Sequence, residues 1–255
     1  MSPKMMPCHH LHRLGWTNFK IHDFRYEIDM IWGLDKMTML YYAIGEFSSL
    51  FASFEANGEV CFREWSMPSE RLVLFIDAQN FYHGARQAFF NDSDWHIYGQ
   101  FNPVKLGELI CSRAPVGKTR LLHEVRVYTG RPDSEKEPST HAAHMRQCAA
   151  WEKAGTTVIH RTLRYPADWP NSKAQQKGVD VALAIDFIAF AIDDKYDVGV
   201  IASTDSDLKP ALEFVYDRFA TGHYVEVAAW KSSVAPKRLS IPRAHIWCYW
   251  LDKGD

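Results

Sequence analysis

The 255-residue chain has no Cys-x-x-Cys pair; its five cysteines, Cys8, Cys61, Cys111, Cys148 and Cys248, are scattered and odd in number. Such a set argues against a disulfide framework and a zinc ribbon, and the simplest compartment for it is a reducing cytoplasm. No run of about 18 apolar residues occurs, so no membrane-spanning helix is expected. The opening "MSPKMMPCHHLHRLGW" also lacks the apolar stretch of a secretory signal. Charge of one sign is missing too: the formal net charge is -2. That balance is uninformative about partners, because basic residues can gather in one patch while the total stays neutral. There is no internal repeat and no low-complexity tract.

At 47% hydrophobic residues the chain can bury one sizeable core. It divides near Met67. Residues 1–66 mix aromatics and acids with only a loose helical rhythm between Ile28 and Phe54, so they form an N-terminal extension of unassigned fold and function, or sequence upstream of a start at Met67. From Met67 to Asp255 strands and helices alternate. Strands are expected at 71–77, 120–130, 156–164, 196–203, 223–230 and 245–250. Helices are expected at 81–90, 102–113, 137–154, 179–192 and 206–220, the fourth nearly all apolar in the manner of a buried helix. Ser206 is the expected N-cap of the last helix, with Pro210 in its early turns. This alternation gives the fold class: α/β, a three-layer α/β/α sandwich around a mainly parallel sheet.

In an open parallel sheet, ligands sit beyond the carboxyl ends of the strands, where loops and helix N-termini converge. Asp77 ends the first strand, Asp205 and Asp207 follow the fourth, and Asp180, preceded by Lys177 and Gly178, opens the helix after the third. Four carboxylates far apart in sequence are thus expected on one edge. Unit charges about 4 Å apart repel by roughly 4 kcal/mol at an effective dielectric of 20, so a cation must offset them. Magnesium or manganese suits: both prefer oxygen ligands and keep waters for a phosphate and a nucleophile. Taken singly, each acid has a plainer use. Asp205 and Asp207 could cap a helix, Asp180 could be a first-turn acid favoured by the helix dipole, and Asn80 could cap the helix after the first strand. Asp186 lies on a different helix face from Asp180 and is kept as an outer partner of the site.

The segments "FIDAQNFYHG", "KGVDVALAIDFI" and "VIASTDSDLKPAL", in this order, resemble the NYN domain, particularly its LabA-like branch, within the PIN-like nuclease superfamily. The resemblance covers about Arg71 to Trp247. It implies a compact α/β/α sandwich and a metal-dependent ribonuclease-type site in which Asp77, Asp180, Asp205 and Asp207 form the acidic cluster and hold the metal, with Asn80 beside it. Two positions depart from the family pattern: Ala78-Gln79 stands where many relatives have a glycine or bulky residue, and Thr204 where glycine is common, which bears on how closely substrate approaches.

The expected reaction is hydrolysis of RNA phosphodiester bonds, with Asn80, Lys177 and Thr204 contacting substrate. Further basic residues fall into three groups: Arg113, Lys118 and Arg120; Arg161, Arg164, Lys173 and Lys177; Lys231, Lys237, Arg238 and Arg243. Tyr82, Tyr165 and Trp169 are candidates for base stacking, with ordinary packing as the commoner use of such residues. A non-cleaving RNA-binding or scaffolding module is the alternative. A phosphatase of another doubly wound fold is a weaker one, since Gln79 stands where its second aspartate would be. Homo-oligomerisation stays open. His141, His144 and Cys148 share a helix face without an evident fourth ligand for zinc, the His9, His10 and His12 group reads as a tail feature, and "SRAPVGKT" lacks the first glycine of a Walker loop.

Overall fold

The computed structural model describes residues 69–219, 224–232, 237–242 and 244–255 in full, and the backbone of 38–40, 49–54 and 60–65. The chain falls into two compact units, Met1–Pro68 and Ser69–Asp255. In the first, β1 (Thr38–Leu40), β2 (Ser49–Phe54) and β3 (Val60–Trp65) form an antiparallel sheet in chain order. The helical rhythm of 28–54 therefore gives way to strand at 38–40 and 49–54. The histidines His9, His10 and His12 lie outside the described residues.

The second unit runs β4 (Glu70–Asp77), α1 (Ala78–Phe89), α2 (Pro103–Ser112), β5 (Arg120–Arg131), α3 (Pro138–Lys153), β6 (Thr157–Thr162), α4 (Val179–Ile192), β7 (Val198–Ala202), a 3-10 turn (Ser206–Leu208), α5 (Lys209–Arg218), β8 (Tyr224–Trp230) and β9 (Trp247–Leu251). The six strands make one sheet in the order β6-β5-β4-β7-β8-β9, every pair parallel. The two central strands are apolar on both faces, as burial under two helical layers requires: Leu72–Ile76 and Val198–Ala202 are buried throughout.

Alternation along β4 divides the core. Val73 and Phe75 face α4 and α5, packing with Leu183, Phe187, Leu212 and Val215. The Phe75 and Phe187 rings meet edge to face, 5.2 Å between centroids. Leu72, Leu74 and Ile76 face the other layer, against Phe81 of α1, Leu106 and Ile110 of α2, and Trp151 of α3. Each fully buried Leu, Ile or Phe contributes roughly 1.5–3 kcal/mol of transfer free energy, so the sheet is anchored from both sides.

Three local expectations change. First, α1 begins at Ala78, not Phe81, because Asp77 caps it directly; Asn80 lies inside the first turn. Second, Asp205, not Ser206, is the N-cap after β7, and a 3-10 turn precedes α5. Third, α4 is not fully enclosed: Val181, Ile185 and Ile192 are exposed on its outer side, because a helix covering one sheet face contacts that face with only part of its circumference.

Candidate active site

The site begins where β4 and β7 end side by side. Parallel pairing sets Ile76 opposite Ala202, so the turns that follow, Asp77 and Ser203-Thr204-Asp205, emerge together. An oxygen of Asp77 accepts the Asn80 backbone N–H at 3.1 Å. Ser203 Oγ accepts the Asp205 N–H at 3.1 Å, and Asp205 Oδ1 accepts the Asp207 N–H at 3.0 Å. Asn80 ties the two turns together: its Oδ1 accepts both the Thr204 N–H (2.9 Å) and the Thr204 hydroxyl (3.1 Å). Thr204 and Asn80 thus brace each other, and both line the hollow between the turns.

Asp77 and Asp205 line one hollow of about 290 Å3, together with Asn80, His83, Gln176 and Thr204. Asp77 is only 6% exposed. Burial pushes its carboxyl up to about 6; the Asn80 amide pulls the other way, and the negative charges of Asp205 and then Asp180 add to the rise. Asp180 is therefore close enough to Asp77 to be felt. It occupies the first turn of α4, which Gly178 enters with φ +76°, a left-handed backbone that glycine adopts without a Cβ penalty. Asp207 enters through its backbone N–H, while its side chain belongs to an exposed residue. Among the described residues no three His, Cys, Asp or Glu side chains are grouped as around a metal ion.

Around this centre the basic residues divide. Arg113 pairs with Asp255, Lys118 with Glu70, and Arg120 is buried between Glu70 and Glu226. Lys118 and Arg120 lie at the amino end of β5, the opposite edge of the sheet from Asp77, so this group is structural rather than a track for RNA. The "SRAPVGKT" segment lies on that same far edge. Lys177, Arg161 and Lys173 are exposed near the carboxyl ends, and Lys237 lines a smaller neighbouring hollow with Gly84, Gln87 and Thr204. Arg243 lies outside the described residues.

Asp186 has a different task from the one expected. Its Oδ2 accepts from Arg126 Nη2 and the Tyr128 hydroxyl, each at 2.8 Å, locking α4 to β5 and so fixing the helix that carries Asp180. Tyr165 is engaged by Glu137 and Asp133 and meets Trp169 edge-on, while Tyr82, its hydroxyl donating to the His96 carbonyl, lines a second cleft next to the acidic hollow. His144 and Cys148 touch at 3.4 Å within α3.

Residues that sequence reasoning passed over are Gln79, His83 and Gln87 on α1 and Gln176 before α4, all lining the hollow. Once Asp77 is seen as a cap, Gln79, His83 and Gln87 fall at i, i+4 and i+8, one helical stripe aimed away from buried Phe81 and Ala85. The loop after α1 is also fixed by that helix: Arg86 donates to the carbonyls of Asn91, Asp94, Trp95 and Tyr98, and Tyr82 donates to the carbonyl of His96. Trp95, Ile97 and Tyr98 on this loop are exposed.

Residues 71–240 match the NYN domain. The chain belongs to the NYN domain family. The match takes in β4 through the residues after β8, including all four aspartates and the turns that carry them. No curated protein matches the chain. Among solved structures, a protein of unknown function from Vibrio parahaemolyticus is similar at 18% identity, covering 64% of this chain and 83% of its own, with a TM-score of 0.41. NYN domains are in general nucleases of the PIN-like kind, and a nucleic-acid substrate goes with that membership. No helix among the described residues is long and apolar enough to cross a membrane.

Proposed function

We propose that this NYN domain, of the LabA-like branch, is a divalent-metal-dependent ribonuclease of the cytoplasm whose site is Asp77, Asp180, Asp205 and Asp207. The observation that carries the reading is Asp77: a carboxyl buried at the end of the central strand, its proton held to about pH 6 by burial and by Asp205 and Asp180. A buried acid beside two others costs stability unless a cation or a ligand repays it, and such clusters concentrate at functional sites.

The donor chemistry fits magnesium or manganese. Asp77 and Asp205 offer hard oxygens on one hollow, and the charge of Asp180 reaches Asp77, a partial set of the kind that suits an ion retaining waters rather than an all-protein cage. Bound there, the ion supplies positive charge to the phosphate and a water of lowered pKa. The chain's own residues do the rest. Asn80 and Thr204 hold the two turns at fixed separation, Lys177 meets backbone phosphate, and Asp180 or Asp207 orients the attacking water and takes its proton. That water's oxygen would bond to phosphorus as one P–O ester bond breaks, and the departing sugar oxygen would take up a proton from solvent to leave as a hydroxyl.

Labelled single-stranded RNA incubated with the protein and manganese tests this: cutting is expected, reduced at least about 100-fold in Asp205→Asn. No cutting, or cutting unchanged by the substitution, overturns it. Manganese should also raise the thermal midpoint of the wild type and not of Asp77→Asn. The alternative, an RNA-binding or scaffolding module that keeps the same sheet and acids without cutting, is the outcome if RNA binds and stays whole.

A further inference from the structure

Beside the acidic hollow lies a second, larger cleft of about 690 Å3, between the start of α1, the carboxyl end of β5 and α3. Gln79, His83 and Gln176 line both, so the two adjoin. The chemistry differs sharply between them. None of the residues lining the larger cleft is Asp, Glu, Lys or Arg. Its apolar surfaces include Phe101 and Trp151, stacked 6.0 Å apart, with Tyr82 at the rim. Its polar groups are the side-chain amides of Gln79, Gln100, Gln147 and Gln176. Gln147 Nε2 donates to Gln100 Oε1 at 2.6 Å, joining α3 to the segment before α2 across the cleft. An amide side chain can make up to four hydrogen bonds and that contact uses one from each, so donors and acceptors remain for a guest. His144 is also in the lining; burial lowers its pKa, with His160, His141 and Arg131 adding to the effect.

A phosphate or a charged side chain finds no counter-charge here. A flat, neutral, hydrogen-bonding ring does: aromatic faces stack on it, and amides, each both donor and acceptor, can read its edge. The volume falls in the range of about 300–1,000 Å3 usual for small-ligand sites. We propose that this cleft takes an unpaired nucleobase of the RNA strand whose phosphate lies at Asp77 and Asp205, and that Gln147 and Gln100 contribute base preference. A base stacked inside a duplex cannot enter, so the substrate is single-stranded or looped RNA. The inference rests on the ribonuclease reading, because it is the acidic hollow next door that places a phosphate at the mouth of the cleft.

The test is fluorescence anisotropy of labelled strands of about ten nucleotides on Asp205→Asn protein with manganese present, comparing oligo-U, oligo-C, oligo-A and an abasic strand. Since stacking of one base is worth a factor of about five or more, the tightest homopolymer should bind at least about fivefold better than the abasic strand and than the weakest homopolymer. Gln147→Ala should erase at least half of that advantage on a logarithmic scale while leaving abasic binding unchanged. Ala143→Phe, which fills the cleft from an exposed helix position, does the same if Gln147→Ala fails to fold by circular dichroism. Equal affinity for all four strands, or a preference that survives in the folded variants, overturns the proposal. The two readings fail separately. A wild type that cuts nothing while the base preference stands removes the nuclease alone; a wild type that cuts abasic and natural strands equally removes the base site alone.

Discussion

Asp77 carries opposing demands. Its folded-state pKa of about 6 lies above the ordinary carboxylate value near 3.8, so the folded chain holds that proton more tightly than the unfolded one. The linked stability is therefore fully present below about pH 4 and lost as pH rises through 6, an effect on the order of 2–3 kcal/mol at 1.36 kcal/mol per unit. Asp77→Asn keeps an oxygen for the Asn80 N–H and removes the buried charge. Differential scanning fluorimetry without metal should find this variant melting roughly 4–12 °C above wild type at pH 8, with the gap narrowing as pH falls and closing below about pH 4. A variant less stable than wild type at pH 8 would show that something other than a metal already compensates the charge.

At the scale of elements, α4 is the piece whose placement matters most. Gly199 of β7 lets it close in: a Cβ there would meet Phe187 Cε2 at 2.7 Å and the Tyr196 ring at 2.8 Å. On the other flank the Asp186 bonds to Arg126 and Tyr128 hold the helix to β5. Asp186→Ala leaves those donors without their acceptor and should cost about 1–3 kcal/mol in urea unfolding, with a smaller manganese-induced melting shift because Asp180 is less firmly held. The elements were largely legible in the sequence because short apolar runs such as Leu72–Ile76 and Val198–Ala202, alternating with longer helical patterns, fit buried parallel strands. Ends were less so: Asp77 and Asp205 each serve as strand end, helix cap and site residue, and capping moved the helix starts away from Asn80 and Ser206. Asn57-Gly58, a hairpin-favouring pair between β2 and β3, was the overlooked signal in the first unit. The second cleft was illegible because it joins Gln79, Gln100, Gln147 and Gln176 from four separate segments, and neutral residues leave no pattern in sequence.

Across the whole second unit, the two edges of the sheet hold different kinds of charge. At the carboxyl edge Asp77, Asp180, Asp205 and Asp207 form no ion pair among the described residues; the amino edge bears Arg120, whose guanidinium donates to Glu226 at 2.5 and 2.8 Å, to Glu70 at 3.1 Å and to the Tyr249 hydroxyl. This buried network joins β4, β5, β8 and β9. Removing one partner strands a charge in the interior, so Glu226→Gln should lower stability by about 3 kcal/mol in chemical denaturation. RNA cutting per folded molecule at 25 °C should stay within twofold of wild type, since Glu226 bonds Arg120, which is in register with Glu70 at the other end of β4 from Asp77; a larger loss would mean the edges are coupled.

Arg86 spends its guanidinium on four main-chain carbonyls between Asn91 and Tyr98, groups that every amino acid presents alike. The clasp is blind to which side chains the loop displays. Trp95 and Ile97 could be exchanged for other residues while the curve of the backbone persists, so the loop after α1 is free to acquire new tastes without renegotiating the fold beneath it.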